Sequence, residues 1–289
     1  MRWIPGGRSR NLEDRRGAGG GFGGGGLGGG GAKMGIGGVL LLAVLSMVFG
    51  RDLVTDFAGG GAPSTAVAPG PGGSADGAIV DPREENTVLF VSTVLDSTQA
   101  TWHRLIPGYT DAKLVLFRDA INSACGLGEA ATGPFYCPGD QKVYIDLAFF
   151  DQLKSQFAAP GDFAQAYVLA HEIGHHVQNL VGTERQMRTA QGQNPGQANA
   201  LSVAMELQAD CYAGVWAFSA AKAGMLEAGD LDEGLSAAAA VGDDRLQKMS
   251  TGRVNPESFT HGSSADRRAW FKRGFDSGDP NQCDTFASR

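Results

Sequence analysis

Two tracts in the first 80 residues cannot build a core, and they confine the fold to the residues beyond them. Residues 17–31 are glycine throughout except Ala18, Phe22 and Leu27. Such a segment has almost no side chain to bury and loses the most backbone entropy on ordering. Residues 58–80 (AGGGAPSTAVAPGPGGSADGAIV) are Gly, Ala, Pro and Ser with very little charge, the composition of a flexible linker. The stretch that remains, 81–289, is long enough for one compact domain.

Between the two tracts lies MGIGGVLLLAVLSMVFG, residues 34–50, uncharged and bracketed by Lys33 and Arg51. It is at the short end of what can cross a bilayer. A core helix would not be isolated between two tracts of this composition, and no small-x-small cleavage site follows closely, since Ala66-Val67-Ala68 lies too far downstream. Arg15-Arg16 stands too far ahead of the apolar run to be a strong twin-arginine export signal. Residues 1–33 carry six basic groups (Arg2, Arg8, Arg10, Arg15, Arg16, Lys33) against Glu13 and Asp14. That bias predicts a cytoplasmic N-terminus and an exported domain. The expected organisation is a basic, Gly-rich cytoplasmic tail over 1–33, a single-pass membrane anchor over 34–50, a linker over 51–80 and one extracytoplasmic domain over 81–289.

The net charge of −7 argues against a nucleic-acid partner. All four cysteines, Cys125, Cys137, Cys211 and Cys283, fall in the exported part, and none forms a C-x-x-C pair that would suggest a zinc knuckle. An even number in an oxidising compartment favours two disulfides, with free buried thiols as the alternative. Of the three connectivities, Cys125–Cys137 closes the shortest loop, leaving Cys211–Cys283.

Hydrophobic spacing predicts helices over 84–104, 111–124, 162–180 (capped by Asp162), 199–223, 231–249 and 264–275. KVYIDL, 142–147, reads as a strand, and the Gln- and Gly-rich stretch 182–197 as a polar loop. The class is mostly α with a small β-sheet, that is, α+β.

Chemistry concentrates on the helix over 162–180. His171-Glu172-Ile173-Gly174-His175 is H-E-x-x-H, which puts two imidazoles one turn apart on one face where both can reach a zinc ion. The intervening Glu172 can take the proton of an attacking water. Val168, Leu169, Ile173 and Val177 supply an apolar face around the motif. A catalytic zinc needs a third protein ligand, and Glu206 on the next apolar helix can provide it. Asp210, one turn on, can accept the N–H of a ligand histidine. Carboxylates on a helix lined by Val203, Ala204, Met205, Leu207 and Trp216 are buried, and buried carboxylates need a partner or a metal. His176 points about 100° away from His175 and reads as structural. His261, just before the last helix, can donate to the oxyanion of a tetrahedral intermediate or serve as a plain loop histidine near a cap. Tyr212 is a second donor candidate with a core role as its alternative, and His103 carries no signal.

H-E-x-x-H followed by E-x-x-x-D resembles the glutamate-zincins. HEIGHHVQNLVG (171–182), ELQADCYAGVWA (206–217), FTHGSSADRRAWFKRGF (259–275), Met1-Arg2-Trp3 and GRSRNLEDRRG (7–17) resemble the bacterial "putative neutral zinc metallopeptidase" family of single-pass membrane proteins. The resemblance implies a minimal zincin-like domain, zinc dependence and hydrolysis of a peptide or protein substrate in the cell envelope. It also implies an edge strand beside the active-site helix that pairs with extended substrate, for which residues 143–146 stand in the right place. Two other functions fit the same residues. One is a catalytically inactive zinc-containing envelope protein that acts as a binding domain, which the retained Glu172 opposes. The other is a zinc amidase acting on cell-wall peptides.

Overall fold

A computed structural model describes residues 1–17, 82–130, 133–155, 159 and 161–286. The elements in chain order are β1 (Leu12–Asp14), α1 (Pro82–Leu105), β2 (Lys113–Phe117), β3 (Ala120–Ser123), β4 (Gly126–Glu129), β5 (Phe135–Cys137) and β6 (Lys142–Asp146), then α2 (Ala148–Ser155), α3 (Asp162–Val181), α4 (Thr183–Gln193), α5 (Ala198–Lys222), α6 (Asp230–Ala240), α7 (Asp243–Thr251) and α8 (Ser264–Ser277). This is the expected α+β class.

The main sheet has strand order β1-β2-β6-β5, parallel except for the antiparallel β5–β6 pair, and β3 and β4 form a separate hairpin. Leu114, Leu116, Val143 and Ile145 face the helices, joining Val88, Leu95 and Trp102 of α1, Leu169, Ile173 and Val177 of α3, Val215 and Trp216 of α5, and Phe271 of α8 in one core. The opposite face buries Val115, Phe117, Cys137 and Tyr144 under Ile121 and Phe135. Both predicted disulfides are present, Cys125–Cys137 joining β5 to the β3–β4 hairpin and Cys211–Cys283 tying the C-terminal segment to α5.

Several expectations are corrected. The helix expected over 111–124 is β2 and β3: its apolar run KLVLF is buried on both faces, as a central parallel strand requires, and Asp119, at φ 61°, turns the chain into β3. The loop expected over 182–197 contains α4, a helix with no buried residue, which hydrophobic spacing cannot register. The helix over 231–249 is two, α6 and α7, broken at Val241-Gly242. Asp162 does not cap α3. The Phe163 N–H at that end donates instead to Glu233 of α6, at 3.2 Å.

The largest correction concerns the N-terminal end. Residues 1–17 belong to the domain. β1 pairs with β2, Trp3 packs edge-on against Phe90, and the Met1 ammonium lies 2.8 Å from Asp162 and 3.3 Å from Asp230. The arginines that gave this segment its basic bias are ion-paired: Arg8 with Glu85 and Asp14, Arg16 with Asp14 and Glu84. The tail set apart as 1–33 therefore holds for none of residues 1–17. Among the described residues no helix is long and apolar enough to cross a membrane. Residues 34–50, read as the anchor, and the linker over 51–80 lie outside the described residues.

Candidate metal centre

The site is set by how closely α3, α5 and α8 approach. A Cβ on Gly174, inside the H-E-x-x-H motif, would sit 3.0 Å from the Ala209 carbonyl oxygen, so α3 lies nearly backbone-on-backbone against α5 there. Ala209 stands between Glu206 and Asp210, and this contact brings both carboxylates to the histidines. On the other side, a Cβ on Gly274 would fall 1.9 Å from the Cys211 carbonyl oxygen, which lets α8 seat against α5.

His171 and His175 stand edge to face, with ring centroids 4.8 Å apart. Glu206 lies between them, Oε2 at 3.2 Å from His171 Nε2 and Oε1 at 3.6 Å from His175 Nε2. One donor atom from each of the three residues lies within 4.8 Å of the others. The remaining ring nitrogens are already engaged. His171 Nδ1 is 2.9 Å from Asp210 Oδ1, as the E-x-x-x-D spacing predicts, and His175 Nδ1 is 2.8 Å from Gln178 Oε1. Gln178 donates its amide to the Met205 carbonyl at 2.7 Å, which leaves Oε1 as the acceptor. Each neutral histidine then carries its proton on Nδ1 and turns the Nε2 lone pair toward the other two donors. Two such nitrogens and a carboxylate are a donor set suited to zinc with one coordination position left over.

The local field follows from burial and pairing. Burial opposes a charged His171, but the Asp210 hydrogen bond and charge, with help from Glu206, hold its pKa up at about 10. A proton on this pair takes the place a metal cation would fill. Burial works against ionising Glu206 too, yet the adjacent histidines keep it well below the usual carboxylate range. Glu172, buried beside the same imidazoles, is pushed up by desolvation, which outweighs their lowering effect.

His261 sits at the rim. Its Nδ1 is 3.1 Å from Asp243 Oδ1, and it feels the charge of Glu206. Asp243 Oδ2 accepts backbone N–H groups of Thr260, His261 and Gly262 at 2.7, 2.6 and 3.0 Å, so the loop is moulded on one carboxylate. His176 is structural, as expected: it lies 2.7 Å from the Thr110 carbonyl through Nε2, and its Nδ1 accepts the Tyr136 hydroxyl at 2.9 Å. Tyr212 is a core residue packed edge-on against Trp102, and His103 pairs with Asp111 near the surface. The strand over 143–146 is not an edge, because β6 is paired on both sides. The edge beside α3 is β5.

Three further residues of the site are not marked by any sequence pattern used above. Asp243 sits at the break inside what spacing merges into one helix. Gln178 follows His175 by three residues, a spacing that could have pointed to it. Arg267 is buried on α8 and donates to Asp210 from Nε at 2.8 Å and from Nη2 at 3.0 Å. Its one clue is an arginine one turn before Phe271 and two before Gly274, on the buried stripe of its helix.

Two histidines and a glutamate on packed helices, around an H-E-x-x-H turn, form a group that could hold a metal ion. The chain belongs to the family described as "putative neutral zinc metallopeptidase", whose model matches residues 1–286. It is 47% identical over 296 aligned residues to the uncharacterized protein YpfJ of Escherichia coli, with 99% of each chain covered. It is also 47% identical over 205 residues to an uncharacterized protein of Mycobacterium tuberculosis, covering 67% of this chain and 68% of that one. No solved structure matches the chain.

Proposed function

We propose that the chain is a zinc metallopeptidase that holds its metal through His171, His175 and Glu206 and hydrolyses peptide bonds with Glu172 as general base. The observation that carries this is the convergence of the three donor atoms within 4.8 Å, with both imidazole Nδ1 atoms engaged behind them. When bound, zinc supplies Lewis acidity, polarising a carbonyl and acidifying water. Glu172 takes a proton from the attacking water and returns it to the leaving amine. His261, whose Nδ1 is held by Asp243, would donate from Nε2 to the oxyanion of the tetrahedral intermediate. The edge of β5, next to α3, is the strand to which an extended peptide would add.

Two disulfides support an oxidising compartment outside the cytoplasm, with an envelope peptide or protein as substrate. The apolar run 34–50 supports membrane association.

Metal analysis of the purified chain tests the proposal: about one zinc per chain is expected, lost in the His171→Ala/His175→Ala double variant. Glu172→Gln should keep the metal and lower peptide hydrolysis by roughly 10²–10⁴, whereas Glu206→Gln should weaken both. Equal metal loss in the two glutamine variants would show the ligands to be misassigned. Full hydrolysis by Glu172→Gln would end the general-base assignment.

A further inference from the structure

One buried arginine stands among the carboxylates around the ligand histidines. Glu172, Glu206 and Asp210 crowd the buried side of the centre. The Arg267 guanidinium, itself 3% exposed, enters from α8 behind them. It makes a two-pronged contact with Asp210, at 2.8 and 3.0 Å, and donates to the Tyr167 hydroxyl at 3.3 Å and the Val241 carbonyl at 3.3 Å. Its Nη2 passes 3.4 Å from His171 Nδ1 and 3.8 Å from Glu206 Oε2. Tyr167 also donates to Asp210 Oδ1. The carboxylate is thus held at both oxygens, and the oxygen shared with Tyr167 and Nη2 is the one that faces His171.

We propose that Arg267 is a positioning residue of the metal centre. It fixes the Asp210 carboxylate in the orientation that orients the His171 ring, holding both carboxylate oxygens while Oδ1 faces His171 Nδ1. The Val241 contact adds a mechanical link, because Gly242 and Asp243 follow directly and Asp243 moulds the loop that carries His261. One side chain thereby ties the ligand set to the oxyanion loop.

The inference rests on His171, His175 and Glu206 being a metal site, and it makes a prediction whose sign is not trivial. If Arg267 acted only as a nearby positive charge, its removal would tighten binding of a cation. Acting by orientation, its removal loosens binding.

The test uses the purified full chain stripped of metal and titrated with cobalt(II). The d–d absorption reports ligand geometry, and chelator competition gives zinc affinity. The parent is expected to give a tetrahedral cobalt spectrum at one equivalent. Arg267→Met should weaken zinc by about ten- to a hundred-fold, the usual effect of losing a residue that orients a ligand, and should alter the spectrum. Arg267→Lys keeps the charge but not the planar fork, and should fall between. Asp210→Asn retains an acceptor for His171 without charge. The Asp210→Asn/Arg267→Met pair should therefore bind zinc about as well as Asp210→Asn alone, a non-additivity that general loosening of the fold would not produce. Parent-like or tighter binding by Arg267→Met, or additive losses in the pair, would overturn the proposal. Should Arg267→Met fail to fold, Arg267→Lys and the pair decide by the same criteria. No metal uptake by the parent would defeat the zinc assignment itself, a result distinguishable from any of these.

Discussion

At the scale of single residues, Asp243 holds His261 Nδ1 at 3.1 Å and gathers the backbone of its loop on the other oxygen. His261→Ala should lower kcat by about 10²–10³ with zinc content unchanged, the loss of one oxyanion donor. Asp243→Ala acts through His261, so adding it to His261→Ala should cost little further activity. Additive losses in steady-state kinetics would show that Asp243 has a separate task. Which of the site residues are legible in the sequence depends on their distance along the chain. His171, Glu172 and His175 share one helical turn, so their joint chemistry is written in a spacing of four. Glu206 and Asp210 are legible for a different reason: carboxylates on an apolar helix must find partners. Arg267 and Asp243 are not, because Arg267 meets Asp210 across 57 residues and Asp243 meets His261 across 18, with no local pattern linking either pair.

At the scale of elements, two segments depart from their sequence patterns for opposite physical reasons. The segment over 111–124 places Leu114, Phe117, Ala120 and Ile121 at helical intervals, yet of these only Leu114 and Phe117 are buried, and Val115 and Leu116 between them are buried as well, as a strand covered on both faces requires. The helix α4 shows no apolar stripe at all. It is held by local pairs such as Arg188–Glu184 at 2.6 Å, four residues apart. Two glycine substitutions exploit this contrast. Gly274→Ala pushes a methyl into the Cys211 carbonyl and should destabilise by about 1–3 kcal/mol, since α8 must back away from α5. Gly192→Ala, in α4 with nothing within 4 Å of the added carbon, should stabilise by about 0.5–1 kcal/mol. Thermal unfolding of the two variants should shift in opposite directions. A Gly274→Ala variant as stable as the parent would mean that the α5–α8 crossing is looser than described.

At the scale of the whole molecule, composition identifies the wrong boundary for a sound reason. Glycine-rich tracts do mark where a core stops, but a core can resume beyond one, and residues 1–17 return to the sheet that residues 82–286 build. Their basic groups look like a topology signal when counted and like ion pairs when located. Arg10 is exposed at its side chain and Arg268 is exposed on α8, and all native cysteines are in disulfides. Single cysteines placed at positions 10 and 268 should therefore react alike with a membrane-impermeant thiol reagent on intact cells, both labelled or both protected. Labelling of only one would separate the N-terminal segment from the domain. The geometry behind this expectation is a matter of proximity. Arg16 Nη1 and Glu84 Oε2 lie 3.1 Å apart, so positions 16 and 84 share one patch of surface, and whatever reagent reaches the one reaches the other.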